Sequence, residues 1–139
     1  MTAAADLVLT STEAGVTTVT MNRPEALNAL SAGLRNRLTE VFTDLSEDSA
    51  TEVIIFTGKG RAFTVGLDLK ELGGETAADT VVSKDLGKAM LNVNKPIIGA
   101  INGYAITGGF ELALMCDFML ASEHAKFADT HARVGVVPG

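Results

Sequence analysis

The sequence predicts an α/β protein. Three observations carry that expectation. Short β-type runs recur along the chain, longer helical stretches separate them, and no linker or low-complexity tract breaks the alternation. The 139 residues are the size of one domain, and the organisation expected is a single domain over 1–139. At 47% hydrophobic and 20% charged residues, the composition is that of a core-forming chain and not of a disordered one.

The elements follow in order. "LVLTSTEAGVTTVTMN" alternates, is rich in Val and Thr, and carries Glu-Ala-Gly at its centre. It predicts a hairpin with strands at roughly 6–12 and 15–21. "NRPEALNAL" is a polar turn with a proline. Ser31 then caps a helix running to about residue 47, with Leu34, Leu38, Val41, Phe42 and Leu45 on one face. "EVIIFTG" is a strand whose lack of alternation suggests burial on both faces. "GKGRAFTVGLDLKEL" is a glycine-broken loop that opens a short helix near Asp68, and "GGETAADT" is a polar, mobile segment. A weakly periodic helix is expected over roughly 80–92. "PIIGAING" is a strand with Pro96 at its first position, where proline is tolerated. A helix buried on every side is expected from about Gly109 to Cys116, followed by strands at "DFMLAS" and "AKFAD". The repeating unit is about 45 residues long, and the closing Pro-Gly of "VGVVPG" is a turn signal.

The totals exclude several classes. A net charge of −6 disfavours nucleic-acid and anionic-membrane surfaces. A single cysteine, Cys116, excludes an internal disulfide framework and fits a reducing cytoplasm. The N-terminal residues lack a signal-peptide pattern, and no apolar run is long enough to span a bilayer. "TGKGRAF" lacks the spacing of a phosphate loop, and no G-x-S-x-G elbow occurs. His124, His131 and Cys116 lack the paired spacing of a zinc site, so no metal is expected. Cys116, Met115 and Met119 read as core packing, and Asp117 as a structural turn or cap residue.

The chemistry concentrates around the glycines. Gly108-Gly109 precedes a helix whose first N–H groups lack internal partners, and "TVGLDLKEL" repeats that design with Gly66 before Leu67. Two such N–H groups from separate loops would make an oxyanion hole for a thioester or enolate oxygen. Glu111 lies in the first turn of the buried helix. Burial raises its proton affinity while the helix N-terminus lowers it, a balance suited to proton exchange. The plainer reading is a first-turn acidic residue favoured by the helix dipole.

"NRPEALNAL", "GKGRAFTVGLDLKEL", "KPIIGAINGYAITGGFELALMCDFMLASEHAKFA" and "VGVVPG" together resemble the crotonase superfamily, the enoyl-CoA hydratase/isomerase family. The matches lie in order and cover nearly the whole chain. The resemblance implies a crotonase-like spiral of ββα units, here truncated before the family's C-terminal helices. It implies an enzyme acting on 2-enoyl-CoA thioesters by hydration or double-bond isomerisation, most simply a lyase of fatty acid β-oxidation. It assigns the oxyanion hole to the N–H groups of Leu67 and Gly108 and the first catalytic glutamate to Glu111. Coenzyme A contacts would fall around Arg23, Ala26, Val65 and Leu67. Arg23, Lys59 and Arg61 could offer charge to its phosphates, although exposed Lys and Arg are more often solvated surface. Coenzyme A would enter as part of the substrate, without a separate cofactor, and the full-length family implies a homotrimer or hexamer.

The pattern breaks in two places. The family's second glutamate position is His131, which could act as a neutral base or have no chemical role; Asp129 is the alternative substitute. The chain is also little more than half the family's usual length. Missing helices would leave apolar surface exposed and the isolated chain poorly stable and weakly active. A catalytically silent acyl-CoA binder and a crotonase-type thioester hydrolase or decarboxylase remain as alternatives.

Overall fold

The computed structural model describes residues 4–72, 85–135 and 137. The "GGETAADT" segment, the start of the helix expected over 80–92, and Val136, Pro138 and Gly139 of the closing motif lie outside the described residues.

A 3-10 turn at Ala4–Leu7 leads into β1 (Val8–Glu13) and β2 (Val16–Met21), which pair antiparallel from Val8↔Met21 to Glu13↔Val16. The connecting residues Ala14 (φ 48°) and Gly15 (φ 80°) both take positive φ. A two-residue hairpin of primed type demands that geometry. The expected hairpin is present, with its first strand beginning two residues later because residues 4–7 coil into the 3-10 turn.

α1 (Ala32–Glu47) begins where Ser31 was expected to cap it, and the Ser31 hydroxyl accepts from Leu34 N at 3.2 Å. All five residues assigned to its inner face are buried. Its far end is held from outside the helix: Lys95 Nζ donates to the carbonyls of Leu45 and Asp48. An ammonium at a helix C-terminus satisfies orphan carbonyls and complements the macrodipole.

The chain then builds two sheets in alternation. β3 (Val53–Gly58), β5 (Ile97–Ile101) and β7 (Phe118–Ala121) add in parallel to β2, giving the order β1-β2-β3-β5-β7. β4 (Ala62–Thr64), β6 (Tyr104–Ile106) and β8 (Lys126–Ala128) form a second parallel sheet in that order. A helix follows each pair: α2 (Leu69–Leu72) and α3 (Leu86–Leu91) after β4, α4 (Gly108–Leu114) after β6, and α5 (His131–Val134) after β8. This is the expected run of ββα units. The unit is not a constant 45 residues, however. Successive parallel strands of the first sheet start at Val16, Val53, Ile97 and Phe118, and the last return is short because only α4 intervenes between β6 and β7.

Three aromatic rings tie the layers together. Phe42 of α1 meets Phe56 of β3 edge-on at 5.2 Å, and Phe56 meets Phe63 of β4 at 5.1 Å. All three are fully buried, so one continuous aromatic contact joins helix, first sheet and second sheet.

Four expectations need correction. β3 alternates, with Ile54 and Phe56 fully buried and Val53, Ile55 and Thr57 only partly so, because one face meets α1 and the other is incompletely covered. α4 is not buried on every side: Gly109, Leu112 and Ala113 are inside, but Leu114 is 59% exposed. It also spans Gly108–Leu114, with Met115 as its C-cap. Met119 is exposed: β7 ends the five-stranded order, and all four of its residues, on both faces of the strand, are exposed. Cys116 does pack in the core, where burial pushes its thiol up to about 12. Asp117 is structural, accepting from Ile97 N at 2.7 Å and so fixing the start of β5.

The close approach of α4 to β4 fixes one residue type. A Cβ on Gly109 would lie 2.0 Å from Thr64 O. Gly109→Ala is therefore expected to lower unfolding stability by about 1–3 kcal/mol or more, measured by denaturant titration.

Candidate active site

The site is assembled from four segments: the turn before α1, the loop after β4, the junction of β6 with α4, and the segment from β8 into α5. The turn is organised by Asn28. This fully buried residue takes φ 55°, beside Leu27 at φ 53°. Its Oδ1 accepts from Arg23 N at 2.8 Å, and its Nδ2 donates to Lys59 O and Ala62 O at 3.1 and 2.9 Å. Asn28 O accepts in turn from Thr64 Oγ1 at 2.7 Å. The "NRPEALNAL" turn is thus locked to both ends of the "KGRAFT" segment.

The same turn holds the loop that carries Leu67. Leu30 N donates to Gly66 O at 2.8 Å, and Leu30 and Leu67 form an isolated parallel bridge. Arg23 Nη1 donates to Asp68 Oδ2 at 2.6 Å and to Ala29 O at 3.1 Å. The Arg23 guanidinium holds the Asp68 carboxyl below the usual carboxylate range. Glu71, one helical turn on, accepts from Ala32 N at 2.8 Å and so supplements the cap of α1.

The loop then meets α4. Gly66 takes φ 86°, and a Cβ there would lie 2.9 Å from Ile106 O and 3.0 Å from Gly108 N. From the other side, a Cβ on Gly108 would lie 3.6 Å from Gly66 Cα. Standard bond lengths therefore keep Leu67 N within about 7.5 Å of Gly108 N. Gly108 is the first residue of α4, a position whose N–H has no partner within the helix.

Glu111 stands over this junction. Its Oε2 lies 3.6 Å from the Cβ position of Gly108, and its side chain is 35% exposed. Its Oε1 lies 3.4 Å from His131 Nε2. His131 is buried, and its Nδ1 lies 2.6 Å from Asp129 Oδ1, which also accepts from His131 N at 3.1 Å. These two bonds hold the Asp129 carboxyl below its ordinary value, the backbone bond contributing most. The segment bearing His131 is tied to the start of α4 as well. Thr107 N donates to Ala128 O at 2.8 Å, and the hydroxyls of Thr107 and Thr130 are hydrogen-bonded. Thr107 adopts φ 53°, an uncommon conformation for a β-branched residue, immediately before Gly108.

Leu67, Gly108, Glu111 and His131 thus come together from separate segments of the chain. Arg23, Ala26, Val65 and Leu67 lie along the turn and loop leading to them, each partly buried. Lys59 and Arg61 are exposed on the adjoining loop. Arg23 is engaged by Asp68, so its charge is already partnered. Sequence reasoning passed over Asn28 and the Arg23–Asp68 pair. Nothing local marks two residues 45 positions apart as partners; the one available signal was an Asn in a proline-bearing turn, a residue that tolerates positive φ. No metal-binding group of three or more His, Cys, Asp or Glu occurs among the described residues, and no helix among them is long and apolar enough to cross a membrane.

The family model for enoyl-CoA hydratase/isomerase matches residues 11–139. The chain belongs to the enoyl-CoA hydratase/isomerase family. It is 47% identical over 131 residues to an Arabidopsis thaliana protein named probable enoyl-CoA hydratase 1, peroxisomal, covering 89% of this chain and 47% of that one. A solved enoyl-CoA hydratase from Mycobacterium tuberculosis H37Rv superposes with a TM-score of 0.81 at 48% identity, covering 96% of this chain and 56% of that one. An enoyl-CoA hydratase/carnithine racemase from Magnetospirillum magneticum reaches a TM-score of 0.87 at 32% identity, covering 96% of this chain and 53% of that one. The chain spans about half the length of these relatives. Its fold is that of the crotonase-type enoyl-CoA hydratases.

Two predictions follow from the junction. Gly66→Ala introduces a Cβ at φ 86° against two backbone atoms. It is expected to cost about 1–3 kcal/mol in denaturant titrations. Asp68→Asn is expected to lower stability at neutral pH by about 1 kcal/mol. The native Asp68 carboxyl is held low, so its contribution is present above the unfolded value near 4 and is lost as pH falls through the native value. Thermal melts from pH 7 to pH 2 should therefore show the two proteins converging below about pH 4.

Proposed function

We propose that the protein is an acyl-CoA enzyme that hydrates or isomerises 2-enoyl-CoA thioesters. The observation that carries this reading is the approach of Gly66 to Gly108 beneath the Glu111 carboxylate. Two donors that each sit about 2.7–3.1 Å from one oxygen can be at most about 6 Å apart, within the distance that the Gly66–Gly108 contact allows. The thioester carbonyl would accept from Leu67 N–H and Gly108 N–H. As the substrate gains electron density at the α-carbon, the negative charge moves onto that oxygen, where fixed donors stabilise it without reorganising. Glu111, above the same point, would give or take the proton at the adjacent carbons.

The turn and loop that hold the oxyanion donors also present Arg23, Ala26, Val65 and Leu67. We assign this strip to coenzyme A, with Lys59 and Arg61 free to meet its phosphates. Coenzyme A then arrives with the substrate and no further cofactor takes part. In the proposed assembly, the complete protein is a homotrimer or hexamer. A reducing cytoplasm suits the reduced, buried Cys116.

His131 favours a specific version of the reaction. Its Nε2 lies 3.4 Å from Glu111, at the position where the family resemblance implies a second glutamate. Hydration would then use a carboxylate and an imidazole around one water, whereas isomerisation needs Glu111 alone as the proton carrier.

The test is Glu111→Gln in the complete protein. kcat for hydration of a short 2-enoyl-CoA should fall by about 10²-fold or more, with KM changed only a few-fold, in a coupled spectrophotometric assay. Unchanged hydration together with unchanged isomerisation would remove Glu111 from the mechanism.

A further inference from the structure

His131 is the least explained member of the site. It is buried, polar, and gripped from both sides. The imidazole faces two titratable groups: Asp129 from its own segment and Glu111 from α4. Asp129 meets it at hydrogen-bond length, 2.6 Å, and Glu111 at 3.4 Å. The two contacts use different ring nitrogens, Nδ1 for Asp129 and Nε2 for Glu111.

The arrangement dictates where the ring hydrogen sits. The Asp129 carboxyl is held below its ordinary value, so it is ionised at neutral pH and can only accept. Nδ1 must therefore carry the hydrogen of that bond. In the neutral ring, Nε2 then carries the lone pair, and it lies 3.4 Å from Glu111 Oε1. Without Asp129 the ring would be free to place its hydrogen on Nε2, and that lone pair would be lost. The backbone bond from His131 N to the same Asp129 oxygen fixes the carboxylate in position, and the Thr107–Thr130 hydrogen bond fixes the segment against the first turn of α4.

We propose that Asp129, His131 and Glu111 form a carboxylate–imidazole–carboxylate relay in which Asp129 is a positioning residue that sets the His131 tautomer, and His131 exchanges a proton with Glu111. The step balances simply. A proton taken from substrate or water onto Glu111 passes to the Nε2 lone pair; the Glu111 O–H bond breaks and an N–H bond forms. The carboxylate is regenerated and the imidazolium lies between two negative groups. Reversal returns the proton to Glu111 for delivery to carbon. The 3.4 Å gap closes to hydrogen-bond length with a small movement of the partly exposed Glu111 side chain. The relay rests on the reading of Glu111 as the group that handles the proton, and it assigns Asp129 a role distinct from contact with substrate.

The test separates the relay from that reading by measuring the tautomer without substrate. The complete chain, labelled with ¹⁵N-histidine, is examined by long-range ¹H–¹⁵N correlation at a pH where the ring is neutral. The Nδ1–H form is expected in the native protein and in Glu111→Gln. Asp129→Ala should move the hydrogen to Nε2. Asp129→Asn keeps an acceptor for Nδ1–H and removes the charge; it should retain the tautomer while lowering kcat on a short 2-enoyl-CoA by on the order of tenfold, with KM within about twofold. Asp129→Glu should recover part of that loss. An Nε2–H tautomer in the native protein, or kcat unaltered in Asp129→Asn, would overturn the relay. A native protein with the Nδ1–H form but no turnover of any 2-enoyl-CoA would instead refute the proposed substrate and leave the tautomer assignment standing.

Discussion

Everything at the site depends on one near-contact between two glycine backbones. Gly66 approaches the start of α4 so closely that a side chain on it would meet Ile106 O and Gly108 N, while Gly108 itself leaves ordinary contact distance to Gly66 Cα. A glycine costs conformational entropy on folding, yet at Gly66 it is the residue that lets the loop carrying Leu67 lie against the start of α4. The rest of the local architecture serves to hold that approach. Asn28 locks the preceding turn, Arg23 pins Asp68, Leu30 N holds Gly66 O, and Thr64 Oγ1 donates back to the turn. The polar groups are mostly backbone or are bonded to backbone. Their positions are therefore set by the fold and not by side-chain rotamers, which is the condition for preorganised electrostatics.

The two halves of the site differ in character. The Leu67–Gly108 side is built from amides whose charge cannot change. The Glu111–His131–Asp129 side is built from groups that gain and lose protons. Such a division suits a reaction in which charge must be stabilised on oxygen while protons move at neighbouring carbon atoms. The short segment from Ala128 to His131 connects the halves, since it hydrogen-bonds to Thr107 at the point where α4 begins. A displacement of that segment would be felt by both the amide donors and the imidazole.

Local elements were legible in the sequence because their causes are local. Ser31 followed by a regular apolar stripe was enough for α1, and Ala14-Gly15 between alternating runs was enough for the hairpin. Burial was less legible. The apolar run of β7 reads as core, but a sequence cannot say whether anything covers a strand at the edge of a sheet; Phe118 and Leu120 are 51% and 64% exposed. The same limit applied to α4, whose apolar composition hid the exposure of Leu114. At the site, glycines before a helix suggested amide donors on general grounds, while the assignment of Glu111 and the oddity of His131 owed more to the family resemblance. The Arg23–Asp68 pair and the two-sided grip on His131 were not legible at all, because they join residues brought together by tertiary packing.

The strand order has a kinetic meaning. Among the described strands, β1–β2 is the hairpin pairing; β3, β5 and β7 each pair with an earlier strand across a longer excursion of the chain. Pairings of that kind incur loop-closure entropy before they gain stability, which slows folding and prolongs exposure of unpaired edges. The candidate site residues reach from Arg23 to His131, so their convergence depends on long-range pairings in both sheets. Collapsed but incompletely paired intermediates would therefore hold much of the native secondary structure while the amides and the proton-handling side chains remained apart.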